Sequence, residues 1–458
     1  MTNATPTPLY SGAAPGQVAA DLAQLVDFQA RGVPMAELQA MVSACLLPHL
    51  MRYDQPQFQS MFNAFPPAEA RFGAQVMLDY NQGVTNWQVS PGGATLEELC
   101  GRALCRLFGL AAEADATFMY SGTYANQQAL YLAIHRYAER QGFDLAQQGI
   151  AGFAASERLA VLISADAHFS LKHAIRMLGL GEQSLVLLPV DANRRIDVDA
   201  LRAIVQELRG ARDIVCMVAT AGTTITGAVD PIAPMADLCA DTGAWLHVDG
   251  AYGYAYKLVP AWAPLFHGDD RADSITWDPH KQLAAPIPNS LLFVRQRTDF
   301  ARMALHSSYF NLPEAVEPNP GLKSPPSTRP MSVLPLVTIL RGQGLDWVVA
   351  DLRAPLLAIR SLADDLKDQP DVELCHRPDT GILCFRLTPA GVRANELDAL
   401  QRHLYEQVLA SGERSISITS LNEQTVLRLV VVSPHTTLAD LQETIAALRN
   451  VALRKLMT

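Results

Sequence analysis

The sequence lacks several features that would fix its class at once. It has no C-x-x-C pair, and its seven cysteines (Cys45, Cys100, Cys105, Cys216, Cys239, Cys375 and Cys384) form an odd, scattered set. Such spacing supports neither a disulfide frame nor a zinc site, so we expect reduced thiols and no metal. The chain also lacks a basic excess: its formal net charge is −10 and its isoelectric point about 5.6. That balance argues against general nucleic-acid binding and against an anionic membrane surface, while leaving room for a local phosphate pocket. No apolar run approaches the length of a membrane span, and the opening MTNATPTPLYSG has no basic stretch followed by an apolar one. A soluble, cytoplasmic protein is the expectation. Internal repeats and low-complexity tracts are absent as well.

What is present describes a large globular protein. At 458 residues the chain exceeds what one hydrophobic core usually serves, and 49% hydrophobic against 18% charged residues supplies a large interior. Residues 1–15 read as a loose arm. Residues 16–80 read as helices interrupted by Pro34, Pro48, Pro56, Pro66 and Pro67, a segment that needs something else to pack against. In TLEELCGRALCRLFGL, the residues Leu96, Leu99, Ala103 and Leu107 fall on one helical face, with Thr95 or the Ser90-Pro91 turn as its start.

From about 116 to 296, apolar runs alternate with helical patterns. Buried strands are expected at 116–120, 159–164, 185–190, 214–220 and 244–249, with helices at 123–140, 197–209 and 232–242 among them. Continuous apolar strands separated by helices predict an α/β fold with a mainly parallel sheet covered on both faces. Ligands of such sheets bind at the carboxyl ends of the strands. Residues 311–330 form a Pro-rich loop. Beyond it the pattern is helix (345–368), strand (381–388), helix (394–410), strands (414–420 and 425–433) and helix (437–455). The expected division is an N-terminal helical segment (1–80), a large domain (81–344) and a small C-terminal α/β domain (345–458).

Five segments carry possible chemistry. In LHVDGAYG, Asp249 ends a strand beside Gly250, Ala251 and Gly253, small residues that would let a flat ring approach; a turn aspartate is the ordinary alternative. In SITWDPHKQL, Lys281 can act as a Schiff-base amine and His280 can donate to a phosphate, although an isolated D-P-H-K is usually a polar turn. In FMYSGTYANQQAL, Ser121-Gly122-Thr123 leads from a strand into a helix, an arrangement suited to a phosphate or simply to capping. His168 follows a strand end, where an imidazole can stack on a ring or merely pack. Thr223 and Thr224 follow the strand ending near Thr220, where their hydroxyls can bond a ring substituent or close a turn.

Taken in order, and with the upstream segment NQGVTNWQVSPGGATLEEL, these motifs resemble the group II amino-acid decarboxylases, which use pyridoxal 5'-phosphate (PLP) on the aspartate-aminotransferase-like fold type I. The resemblance implies a seven-stranded, mainly parallel sheet in the large domain. It implies that Lys281 carries PLP as a Schiff base, that Asp249 pairs with the ring nitrogen, and that Ala251 and His168 lie on opposite faces of the ring. Gly122, Thr123 and His280 would hold the phosphate, and Thr224 would contact the ring side. Asp278 stands where relatives often have asparagine, and a carboxylate there would repel a phosphate unless protonated or turned away.

The implied reaction converts an L-amino acid to its amine and CO2, with Lys281, His168 and Asp249 as the catalytic group. Many relatives carry a tyrosine on a mobile loop that protonates Cα. Residues 311–330 contain none, and Tyr309 lies just before them. That departure keeps a decarboxylation-dependent aldehyde synthase, an aminotransferase or another lyase as alternatives, and a catalytically silent PLP-binding protein as the non-enzymatic one. Asn81-Gln82, Trp87 and Ser90-Pro91 point to the diaminobutyrate side of the family. A homodimer is expected, with the N-terminal helices and Ser327-Thr328-Arg329 as interface elements.

Overall fold

The structure is a computed structural model that describes residues 8–28, 30–308, 311 and 318–457. It divides into two compact units: residues 66–353 with 378–380, and residues 8–65 with 354–377 and 381–457 among those described.

The larger unit is built on seven strands: β1 (Asp115–Met119), β2 (Leu159–Ser164), β3 (Leu185–Leu188), β4 (Asp213–Thr220), β5 (Trp245–Asp249), β6 (Ser274–Trp277) and β7 (Ser290–Val294). Their order across the sheet is β1-β7-β6-β5-β4-β2-β3. The pairs β2–β3, β2–β4, β4–β5 and β5–β6 are parallel, whereas β7 runs antiparallel to both β1 and β6. Two antiparallel steps restore the original direction, so β1 ends on the same edge as β2, β4, β5 and β6. That shared edge gathers residues far apart in sequence, because every βα connection after a parallel strand leaves from it.

The expected strands at 159–164, 214–220 and 244–249 agree with β2, β4 and β5 to within a residue, and the helix at 232–242 is Ile232–Thr242. Strands buried on both faces read as unbroken apolar runs, which makes them legible. One helical face was misassigned. The helix Pro91–Leu107, opened by Pro91 after Ser90, buries Gly93, Glu97, Cys100, Gly101 and Leu104, while Leu99 and Ala103 face outward. Two features override the leucine stripe. Glu97 is buried because it pairs with Arg329, and a Cβ at Gly101 would stand only 3.0 Å from the Ala116 carbonyl oxygen, so this side packs closely on β1. Arg329 also donates to the carbonyls of Pro320 (2.7 Å) and Phe118 (2.9 Å), tying the Pro-rich segment to β1. Arg329 is thus buried by its own chain, leaving Ser327 and Thr328 as the exposed part of the anticipated interface element.

In the smaller unit, β8 (Val372–Leu374), β9 (Ile382–Leu387), β10 (Ser417–Leu421) and β11 (Gln424–Val430) form an antiparallel sheet in the order β10-β11-β9-β8. The helices Leu397–Ala410 and Leu438–Met457 supply Leu400, Leu404, Leu441 and Leu448 to its core. The arm is not loose throughout: Leu9 is buried and its N–H bonds the Gly412 carbonyl at 2.8 Å, and Pro15 opens a helix ending at Leu22. No single helix is long and apolar enough to cross a membrane among the described residues.

Candidate active site

The site lies at the carboxyl edge of the large sheet. Asp249 is the last residue of β5 and is almost fully buried. Its Oδ1 accepts the Ala251 N–H at 3.2 Å, and its Oδ2 accepts the amide of Asn126 at 2.8 Å. Asn126 sits one helical turn into Gly122–Arg140, so the helix after β1 reaches across to the end of β5. The flanking glycines serve the chain itself. A Cβ at Gly253 would lie 2.3 Å from the Ala221 oxygen, and one at Gly250 would lie 2.6 Å from Tyr254 Cβ. Their small size lets loop segments pack together, and the half-buried Ala251 remains as the candidate ring floor.

Asp278 follows β6 and precedes a single helical turn, Pro279–Gln282, that carries His280 and Lys281. Lys281 Nζ lies 3.2 Å from Asp278 Oδ2. His280 donates from Nδ1 to the Asn289 carbonyl at 2.6 Å, and burial lowers its pKa below the ordinary histidine value. The neutral ring therefore presents Nε2 as an acceptor, 3.8 Å from Asp278 Oδ2. Donation from Nε2 to a phosphate requires the protonated ring.

The phosphate end is legible in backbone geometry. Ser121 caps Gly122–Arg140: its hydroxyl accepts the Tyr124 N–H at 3.3 Å and its carbonyl accepts the Ala125 N–H at 3.0 Å. Helix geometry leaves the N–H groups of Gly122 and Thr123 without intrahelical acceptors. A Cβ at Gly122 would stand 2.8 Å from Asp278 Oδ2 and 3.2 Å from Ala251 Cβ, so only glycine fits there without a shift. Asp278 is buried against this helix start, and its Oδ1 has no hydrogen-bond partner among the described residues.

His168 follows β2. Its Nδ1 accepts the Ser170 N–H at 3.2 Å, which places the proton of the neutral ring on Nε2. Burial pushes its pKa down, against the attraction of Asp249; Lys281 also lowers it and Asp278 raises it. His168 and Asp278 lie just after β2 and β6, and Asp249 ends β5, so all three stand on one edge of the sheet. Thr223 is consumed by its turn, where its hydroxyl meets that of Thr226 at 2.9 Å and accepts the Ala228 N–H. Thr224 is half-buried. Tyr309 lies outside the described residues.

Among the residues named from sequence, Asp249, Ala251, Asp278, His280, Lys281, Gly122, Thr123 and His168 are thus brought to one edge. Asn126 was missed; its only signal was its position one turn after Gly122. The arrangement suits PLP. It offers a lysine amine, a buried carboxylate held by two donors, a neutral imidazole and a helix start with free N–H groups. Among the described site residues, Asp278, with its orphaned oxygen, stands where a carboxylate opposes the phosphate.

Such a sheet with such an edge defines a PLP-dependent enzyme of fold type I. Comparison with known proteins sharpens this. Residues 15–388 match the model of the pyridoxal-dependent decarboxylase conserved domain, and the chain belongs to that family. It is 32% identical over 412 residues to an L-2,4-diaminobutyrate decarboxylase of Rhizobium meliloti, covering 89% of this chain and 80% of that one. It is 26% identical to an acidic amino acid decarboxylase of Homo sapiens, covering 92% and 82%. The glutamate decarboxylase domain of a diaminobutyrate–pyruvate transaminase and L-2,4-diaminobutyrate decarboxylase from Vibrio parahaemolyticus has the same fold, with a TM-score of 0.88 at 23% identity, covering 98% and 92%. The protein is accordingly a PLP-dependent amino-acid decarboxylase, a carboxy-lyase.

Proposed function

We propose that this chain decarboxylates a diamino acid of the 2,4-diaminobutyrate type, with Lys281 as the covalent anchor of the cofactor. The convergence of Lys281, Asp249 and His168 on one sheet edge carries the site assignment. The diaminobutyrate decarboxylase relative, at 32% identity, supports the substrate class.

When bound, PLP supplies an electron sink for the carbanion left at Cα as CO2 departs. The chain supplies orientation and charge. Asp249, held by the Asn126 amide and the Ala251 N–H, presents a carboxylate that keeps a ring nitrogen protonated. Gly122 and Thr123 would hold the phosphate, His280 would join them only in its protonated form, and Thr224 would contact the ring side. His168 would stack on the ring face opposite Ala251 and offer Nε2–H. It or Lys281 would deliver the proton to Cα, since residues 311–330 contain no tyrosine. That same absence favours a second reading, decarboxylation coupled to aldehyde formation.

We further propose a cytoplasmic homodimer. The helix Ala68–Tyr80 leaves Phe72, Leu78 and Tyr80 exposed, and a second copy would cover them. Light scattering should give about twice the 49.8 kDa chain mass, and a monomer would refute the dimer. Cell fractionation tests the compartment.

The deciding experiment offers the purified protein the twenty common amino acids, ornithine and diaminobutyrate, with CO2, amine and aldehyde detected together. Diaminobutyrate turnover with equal CO2 and amine supports the proposal. Aldehyde with ammonia establishes the second reading, and turnover of aromatic or acidic substrates alone refutes the diamino assignment. Borohydride reduction followed by mass spectrometry should place the cofactor on Lys281; a label elsewhere would overturn the anchor.

A further inference from the structure

Beneath Asp249 lies a chain of buried side chains whose hydrogen bonds all run in one direction. Trp245, His247 and Asp249 alternate along β5 and therefore share a face, as do Ser274 and Thr276 on β6. The two strands are paired so that His247 stands beside Ser274 and Asp249 beside Thr276. Asn126 reaches this layer from the helix above.

The carboxylate end fixes the other links: Asp249 Oδ2 accepts, so the Asn126 amide nitrogen faces it and Asn126 Oδ1 faces His247 Nε2, which therefore carries the proton of the neutral ring. The Trp245 indole N–H can only donate, and it donates to Ser274 Oγ at 2.7 Å. His247 Nδ1, left without a proton, accepts the hydroxyl proton of Ser274, 2.8 Å away. With Nδ1 an acceptor, the proton of the neutral imidazole belongs on Nε2, which donates to Asn126 Oδ1 at 3.0 Å. Thr276 Oγ1 donates to the same oxygen at 2.8 Å. The Asn126 amide is thereby oriented with its nitrogen toward Asp249 Oδ2 (2.8 Å) and Ser170 Oγ (2.9 Å). Trp245, Ser274, His247, Thr276 and Asn126 are each at most 1% exposed, so bulk water does not compete for these bonds. An obligate donor stands at one end and a carboxylate at the other.

We propose that His247 is a positioning residue for Asp249: its Nε2–H locks the Asn126 amide in the one orientation that donates to the carboxylate. Without that donor Thr276 alone holds Asn126 Oδ1, and the half-turn that sets this oxygen against Asp249 Oδ2, an acceptor facing an anion, becomes easier. Burial holds the ring neutral, with its pKa lowered to about 4, so the link persists across the physiological range. The inference rests on the reading that Asp249 faces the ring nitrogen of the cofactor.

The test loads the apoprotein with PLP carrying 15N in its ring and reads the nitrogen signal by solid-state NMR, with PLP affinity measured by titration. His247→Leu should move the signal toward the unprotonated ring and weaken PLP binding about tenfold or more, while circular dichroism stays native. His247→Gln should restore both, because its amide places a donor near the Nε2 position. Should His247→Leu fail to fold, Ser274→Ala, which frees the choice of tautomer, should shift the signal in the same direction by a smaller amount. A folded His247→Leu with the wild-type signal and affinity overturns the proposal, as does an unchanged Ser274→Ala where the leucine variant does not fold. Asp249→Asn separates the two levels of the argument. If it too leaves the signal unchanged, the Asp249 reading has failed; if it moves the signal and the His247 variants do not, the positioning chain alone has failed.

Discussion

Asp278 Oδ2, at the cap of a short helix, lies 3.2 Å from Nζ of Lys281 within that helix, and the same carboxylate packs against Gly122 at the start of the helix proposed to hold the phosphate. One acidic group thus touches both ends of the cofactor's task, the amine that anchors it and the helix start that receives its anion. The position combines attraction for Lys281 with repulsion of a phosphate.

Replacing that charge should therefore tighten cofactor binding. Asp278→Asn keeps the shape and removes the repulsion, and PLP affinity should rise by about tenfold. Spectrophotometric titration of the apoprotein measures it; weaker binding in the variant would show that the Lys281 contact dominates.

Gly122→Ala should act in the opposite sense. The added Cβ would stand 2.8 Å from Asp278 Oδ2 and 3.2 Å from Ala251 Cβ, so the carboxylate must shift at the helix start. A loss of about tenfold in PLP affinity is expected, with melting temperature changed by little. Unaltered binding would remove this glycine from the phosphate end.

His247 should leave a signature in the pH dependence of stability. Its pKa is about 4 in the fold, because burial disfavours the charged ring, against 6.5 in the free residue. Above 6.5 both states are neutral and nothing is contributed. Between 6.5 and 4 the unfolded chain takes the proton first, so stability falls with pH by up to about 3 kcal/mol and then levels off. Asp230 and Asp351 act oppositely: burial raises each to about 7, so the fold retains their protons and loses stability as pH rises from 3.8 to 7. The difference between wild type and His247→Gln in chemical denaturation isolates the histidine. A pH-independent difference would contradict its buried, neutral state.

The buried pair of Glu97 and Arg329 should respond asymmetrically to single and double replacement. Burial pushes the Glu97 carboxyl up even beside Arg329, and both groups are nearly inaccessible. Arg329→Met leaves the carboxylate unpaired and should cost about 3–5 kcal/mol. Adding Glu97→Leu should recover much of that loss. Thermal denaturation of the three proteins decides it, and additive losses would show that the pairing is not the cause.

The motifs of the site were legible because each is local: a strand end followed by Ser121-Gly122-Thr123, by Asp249, or by Asp278-Pro279-His280-Lys281. The helix face at Leu96, Leu99, Ala103 and Leu107 was misread for the opposite reason. Apolar periodicity does not register that a buried carboxylate has found an arginine 232 residues away. Asn126 and His247 escaped notice because a polar residue in a buried element has no local explanation; its partners belong to other strands.

The sequence by itself determined the alternation of buried strands and helices and the family, and it singled out Lys281, Asp249 and His168 as candidates for the site, since these are written in short-range pattern and residue chemistry. The tertiary structure decided the rest. It set the sheet order that brings the ends of β1, β2, β4, β5 and β6 to one edge, the contact of Asp278 with both Lys281 and the helix start, and the register that places His247 beside Ser274. Hydrogen bonds and charges act over a few ångströms of space and take no account of separation along the chain, so only the folded chain shows which groups they join.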